Sequence, residues 1–156
     1  MNFRICGLPL EPFRELFALD DASLRARGAR RVIADDHYGF PCRVTLKDAA
    51  PGESLILLNF AHLDEQTTPY RASGPIYVRE TASQRFEAIN EVPAQQRQRQ
   101  LSVRAYSASH LMRAADVIDG RQLEALIEKF FRDPQISYLH VHNALPGCYA
   151  CRVDRA

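Results

Sequence analysis

The residues of this chain best suited to chemistry lie near its C-terminal end, in His140-Val-His142 and Cys148. On a β-strand a His-x-His pair sends both imidazoles to one side, near enough to share one metal ion if a third ligand arrives. Cys148 would serve as that ligand, or His62 from the loop after Leu55–Phe60, and a divalent transition metal is the cofactor such a set would take. The same residues allow a nucleophile–base pair, with Cys148 attacking and His142 taking its proton. They equally allow two ordinary histidines satisfied by water and backbone, and the residue types alone leave the three readings open. Cys148-Tyr-Ala-Cys151 has the spacing of a redox or zinc motif, but in a strand positions i and i+3 point to opposite faces. Cys151 is therefore expected to be a core thiol.

A second cluster is Tyr70-Arg71-Ala-Ser73-Gly74-Pro75. The planar, permanently charged fork of Arg71 suits a carboxylate or phosphate, and Ser73 and Gly74 offer a hydroxyl and an open backbone N–H beside it. Against this stands a plain turn punctuated by Gly and Pro. No G-x-x-x-x-G-K-[ST], G-x-G-x-x-G, Ser nucleophile elbow or H-E-x-x-H occurs. Asp35-Asp36-His37 and His110 read as solvated turn residues.

These side chains need elements to hold them. Ile136–His142 and Cys148–Val153 read as two strands joined through Asn143-Ala-Leu-Pro-Gly147. If that link is a simple hairpin loop, His142 faces Cys148, His140 faces Ala150 and Tyr138 faces Arg152. Tyr138, His140, His142, Cys148 and Arg152 would then share a face turned to a cleft or water. Leu139, Val141, Tyr149, Cys151 and Val153 would turn to the core.

Upstream, Cys42–Lys47 alternates apolar and polar residues and is expected to form a hairpin with Ser54–Phe60, whose Leu55–Leu58 run suits a covered strand. Further strands are expected at Phe3–Gly7, Arg30–Ala34, Ile76–Arg79, Leu101–Tyr106 and Leu111–Ile118. Short helices are expected at Pro12–Ala18 and Asp21–Arg27. The polar stretch Thr81–Gln100 reads as an exposed excursion with a short helix from Pro93. The clearest helix is Gly120–Arg132. Its Leu123, Leu126, Ile127, Phe130 and Phe131 form one apolar stripe, Asp119 is placed to cap it, and Asp133-Pro134 stops it. Short strands with hairpin-sized connections favour a mostly antiparallel sheet with helices packed on it, a single α+β domain spanning residues 1–156.

Composition bounds the function. Hydrophobic residues make up 46% of the 156 and charged residues 25%, as in ordinary globular proteins. A net charge of +1 gives no field to attract nucleic acid, although only Lys47 and Lys129 among the twenty basic residues are lysine. The N-terminal residues lack an apolar stretch long enough for a signal peptide, and Leu55–Leu58 is far too short to span a bilayer. The chain is thus expected in the cytoplasm, without membrane or nucleic-acid partners. Its four cysteines, Cys6, Cys42, Cys148 and Cys151, are expected there as free thiols. Homo-oligomers remain open.

Four stretches resemble a family of short bacterial proteins catalogued as domain of unknown function number 1203. They are Phe3-Arg-Ile-Cys-Gly-Leu-Pro, Pro41-Cys-Arg-Val with Asp48-Ala-Ala-Pro-Gly-Glu53, Pro69–Arg79, and His140–Tyr149. The resemblance implies a stand-alone protein of this length and brings no activity with it. It does imply that the Arg71/Ser73 and His140/His142/Cys148 segments are signature stretches of the family. The expected site is therefore a small-molecule site where Tyr70, Arg71, Ser73 and Gly74 meet the terminal hairpin. In a binding protein, Arg71 would hold an anionic ligand oriented by His140, His142 and Asn143. In an enzyme, Cys148 and His142 would be the catalytic pair. A third expectation is an interaction subunit without a ligand.

Overall fold

The computed structural model describes all of residues 1–156. In chain order the elements are β1 (Phe3–Cys6), a 3-10 turn (Glu11–Phe13) leading into α1 (Arg14–Phe17), α2 (Asp21–Ala26), β2 (Arg30–Ile33), β3 (Ser54–Leu63) and β4 (Ala72–Arg79). The chain continues through β5 (Glu87–Ile89), α3 (Ala94–Arg97), β6 (Gln100–Tyr106), β7 (Met112–Asp119), a 3-10 turn (Gly120–Gln122) into α4 (Leu123–Phe131), β8 (Tyr138–Asn143) and β9 (Tyr149–Arg155). The nine strands form two antiparallel sheets, one ordered β5-β1-β9-β8-β6-β7 and one ordered β2-β3-β4, and the fold is α+β. No helix is long and apolar enough to cross a membrane.

Each sheet has its own apolar cluster. The stripe Leu123, Leu126, Ile127, Phe130 and Phe131 of α4 packs on Leu139, Val141 and Val153 of the larger sheet. Asp119 caps the entry to this helix, accepting from the Arg121 N–H at 2.9 Å, because the first N–H groups of a helical segment have no partner within it. The second cluster joins Phe13, Leu16 and Leu24 of the N-terminal region to Ile56 on β3 and to Ile76 and Val78 on β4, and it includes Tyr149 of β9. The smaller sheet thus covers the other face of the terminal hairpin, and every residue of β8 is buried. The expectation that His140 and His142 face a cleft or water is corrected: both are buried, and a second layer lies over them.

Two further expectations change. β3 pairs with β2 and β4, not with Cys42–Lys47. That segment is a compact plug whose backbone is satisfied by several neighbours: Leu8 N–H donates to Arg43 O, Arg43 N–H to Tyr77 O, and Phe86 N–H to Val44 O. The alternation of Cys42, Val44 and Leu46 did report burial, but of the polar residues between and after them only Lys47 is exposed: Thr45 is half-buried and Arg43 is buried. The excursion Thr81–Gln100 is also less exposed than expected. It contributes edge strand β5 and buries Gln95, Gln96 and Arg99.

Candidate functional site

The terminal hairpin sets the geometry. Its turn closes with Asn143 N–H donating to Cys148 O at 2.9 Å and Gly147 N–H to Asn143 O at 2.8 Å, and Gly147 takes a φ of 77° that a glycine tolerates. Beyond the turn the register differs from a simple hairpin. His140 lies opposite Arg152 and Val141 opposite Cys151, but His142 lies opposite Tyr149, so β9 carries an irregularity at Ala150. A one-residue bulge reverses the facing of what precedes it. Tyr149 therefore joins the histidine face, and Cys148 leaves the ladder.

The expected Cys148–His142 pair does not form. His142 Nδ1 donates to Gly147 O at 3.0 Å, whereas the partners of Cys148 Sγ are Arg43 Nη2 at 3.0 Å and Asn143 Nδ2 at 3.8 Å. The carbonyl of Gly147 can only accept, so the His142 proton sits on Nδ1 and its Nε2 is a bare, buried lone pair without a partner.

His62, in the irregular end of β3, does meet the two β8 histidines. Its ring centroid is 5.1 Å from that of His142 and 5.9 Å from that of His140, and its ring stacks on Tyr149 at 5.2 Å and 11°. Tyr149 in turn presents its edge geometry to His140 at 5.1 Å and to His142 at 5.9 Å. The layer continues through Tyr138 and Tyr106, stacked at 5.3 Å, with the Arg152 guanidinium 4.0 Å above Tyr138. Burial pushes the His140 imidazole down to about 2 and that of His142 to about 4, and His62 is also lowered, chiefly by burial. Arg152, Arg104 and the neighbouring imidazoles act on His140 in the same direction. The three rings are thus neutral. Yet no group of three or more His, Cys, Asp or Glu side chains is arranged to hold a metal ion. The expected His62–His140–His142 metal set is corrected to a neutral aromatic layer between the sheets, organised around Tyr149.

The second expected cluster lies elsewhere. Tyr70 is exposed and meets Tyr106 edge-on at 6.1 Å. Arg71 is exposed, its Nε donating to Asp64 at 2.7 Å and its Nη1 to Gln66 at 3.2 Å. Ser73 and Gly74 are ordinary β4 residues opposite Ala61 and Phe60. None of the four lines the cavity beside the β8–β9 turn.

That cavity, about 470 Å³, opens between the β8–β9 turn, the Tyr38–Arg43 segment and β4. Its size falls within the usual range for small-molecule sites. Apolar walls come from Pro41, Leu57, Tyr77 and Pro146, and polar groups from Arg43, Arg99, Asn143 and Cys148. Arg43 is 1% exposed; it donates from Nε to Tyr149 O at 2.6 Å, from Nη1 to Pro41 O, and from Nη2 to Cys148 Sγ. No carboxylate reaches it, and burial pulls its pKa down while the thiols of Cys148 and Cys42 act the other way. Arg99, also buried, pairs with Asp48 at 2.8 Å and lies 4.1 Å over the Tyr38 ring. A shallower depression holds Arg97, Arg99 and Arg121, but each of these guanidiniums has its own carboxylate, Glu124, Asp48 and Asp119 respectively. Arg43 is the cation that stands apart.

The sequence reading missed Arg43 and Arg99. Arg43 falls in what the sequence pattern presents as the wet half of an alternating strand, and Arg99 in what it presents as an exposed excursion. The available signal was Pro41-Cys-Arg-Val, one of the stretches carrying the family resemblance.

A family model for a protein of unknown function, DUF1203, matches residues 39–155. The chain belongs to the DUF1203 family. The matched span includes Arg43, Arg99, Asn143 and Cys148 of the cavity and all three histidines of the inter-sheet layer, and it leaves out the opening Phe3–Pro9 stretch. No curated protein and no solved structure matches the chain.

Proposed function

We propose that this DUF1203 protein binds a small anionic molecule in the cavity beside the β8–β9 turn, with Arg43 as its cation, the Asp48-paired Arg99 as a further donor on the wall, and Asn143 orienting it. One observation carries the reading: Arg43 is sealed in the protein with two carbonyls and a thiol as partners, and no carboxylate balances its charge. An isolated buried charge is costly, and its usual remedy is a counter-ion. Arg43 lines the cavity, so an anion held there sets a counter-charge beside the guanidinium, and a carboxylate or phosphate is the match for such a group. The apolar walls suit a ligand with a carbon body rather than a bare ion. All four cysteines are free, which fits a reducing compartment such as the cytoplasm.

The test is thermal unfolding against inorganic phosphate, citrate and succinate, with sodium chloride matching the ionic strength. A binder at a hundred times its Kd stabilises the folded state by about 2.7 kcal/mol; phosphate and citrate also stabilise folded proteins by exclusion from their surface, so specific binding is read as a shift that saturates with anion concentration. Leu145, 92% exposed at the cavity mouth, gives a variant that spares the fold. Leu145→Glu sets a negative charge against the ligand and should weaken the anion effect, while Leu145→Gln should leave it in place. If no anion exceeds the chloride control, or if Leu145→Glu changes nothing, the reading is wrong.

A further inference from the structure

The anion site alone does not account for the surroundings of Cys148. Its sulfur is half-buried at the cavity wall, with the Arg43 guanidinium 3.0 Å away and the Asn143 amide at 3.8 Å. Both neighbours are donors, suited to negative charge on sulfur. No imidazole, carboxylate or hydroxyl hydrogen-bonds to it. The sulfur therefore has donors that steady the charge it carries once its proton has left in the course of reaction, and no group that would hand a proton to a leaving group. Acyl transfer to the sulfur with expulsion of an amine or alkoxide needs such a proton donor. Displacement at a disulfide does not, because the leaving group departs as a thiolate.

The cavity adds a filter of its own. Arg43 favours a disulfide that carries a carboxylate, and Leu57 and Tyr77 accept its carbon skeleton. We infer that Cys148 is a site of reversible S-thiolation by small anionic disulfides, an inference that rests on the anion-binding reading of the cavity. In the exchange the Cys148 thiol gives its proton to solvent and its sulfur attacks one sulfur of the reagent. The reagent's S–S bond breaks, and the departing thiolate leaves with the electron pair and takes a proton from solvent. Cys148 is oxidised to a mixed disulfide, and the other half of the reagent is reduced to a thiol.

No neighbouring cysteine is placed to resolve that product. Cys151 lies in the apolar cluster under α4, where burial pushes its thiol up to about 12. Cys42 is buried, and its sulfur accepts from the Thr45 and Arg79 N–H groups. The mixed disulfide therefore persists until an external thiol reverses it, and while present it occupies the anion site. Cys6, the other half-buried cysteine, is the internal control: burial and Glu87 both raise its pKa.

The experiment compares two aliphatic disulfides of similar size, dianionic dithiodiglycolate and neutral hydroxyethyl disulfide, on the intact reduced protein at neutral pH and low salt. Adducts are assigned by peptide mass spectrometry, with Cys148→Ser as the control. Cys148 should be the first cysteine modified. Its ratio of anionic to neutral rates should exceed that of Cys6 by about tenfold, the scale of electrostatic focusing in a charged cleft. The anion found to stabilise the protein should slow it. If that anion stabilises both the wild type and Cys148→Ser while Cys148 labels no faster than Cys6, S-thiolation is refuted and the anion site stands. If Cys148 labels quickly but with the same ratio as Cys6 and no anion slows it, the anion site falls and this inference falls with it.

Discussion

Two imidazoles sealed between two sheets should cost this protein stability on mild acidification, before its carboxylates titrate. Burial holds His140 at about 2 and His142 at about 4 in the folded chain, against about 6.5 when unfolded. Below the unfolded value, the unfolded state takes up protons that the folded state refuses. Stability is therefore complete above about pH 6.5 and falls as the pH drops toward the folded values. At pH 5 an unfolded imidazole is protonated about thirtyfold over neutral, which corresponds to about 2 kcal/mol per site, or about 4 kcal/mol for the pair. His62 is lowered in the same sense and adds to the loss. Carboxylates held low in the fold, such as Asp119 at about 2, act in the same direction but only as their unfolded forms titrate near pH 4. Urea unfolding followed by circular dichroism between pH 7 and pH 5 reads the effect as a falling midpoint at constant slope. His140→Phe, which keeps an aromatic ring beside Tyr106 and Tyr138, should remove about half of the pH dependence. A midpoint that stays flat across this range, or a His140→Phe protein that keeps the full loss, would refute the sealed-layer argument.

Other substitutions separate the cavity from its surroundings. Arg71→Ala breaks an exposed pair with Asp64 and should change stability by less than about 1 kcal/mol without altering anion binding; lost binding would return the site to the Tyr70–Gly74 segment. Arg43→Met gives up charged hydrogen bonds to the Tyr149 and Pro41 carbonyls, about 1.5–3 kcal/mol each. Relief from burying a cation offsets part of this, so urea unfolding should show a net loss of about 3 kcal/mol; an unchanged midpoint would mean that these bonds do not hold the plug. Gly120→Ala would put a Cβ 1.9 Å from the Gln96 carbonyl oxygen and 2.8 Å from that of Arg99. Neither backbone yields cheaply, so thermal unfolding should show a loss of about 3 kcal/mol, and wild-type stability would contradict the close approach of α3 to the start of α4.

Much of the framework was legible because it rests on local patterns. The α4 stripe, its Asp119 cap, the covered Leu55–Leu58 strand and the existence of the terminal hairpin all follow from periodicity and punctuation. What escaped was long-range. A five-residue link fixes that a chain turns back, not the register in which it pairs, and the irregularity at Ala150 exchanged the facings of Tyr149 and Cys148. His140 and His142 read as polar and so as wet, because nothing local announced a second sheet over that face. His62 meets the two β8 histidines, but the chemistry expected of the three assumes an opening that the smaller sheet closes. Arg43 was hidden for a similar reason. An arginine between Cys42 and Val44 looks like the polar half of an alternating strand until three other segments are found around it. The thiol was identified as a candidate, but its partner is a guanidinium and not an imidazole.

Whether Arg43 supplies the cation of an anion site is read out by a crystal structure grown with the anion that gives the largest thermal stabilisation. That anion should lie inside the cavity, with an oxygen within hydrogen-bonding distance of the Arg43 guanidinium and the Asn143 amide beside it. Anions ordered only on outer arginines such as Arg71 or Arg121, with water alone against Arg43, would contradict it.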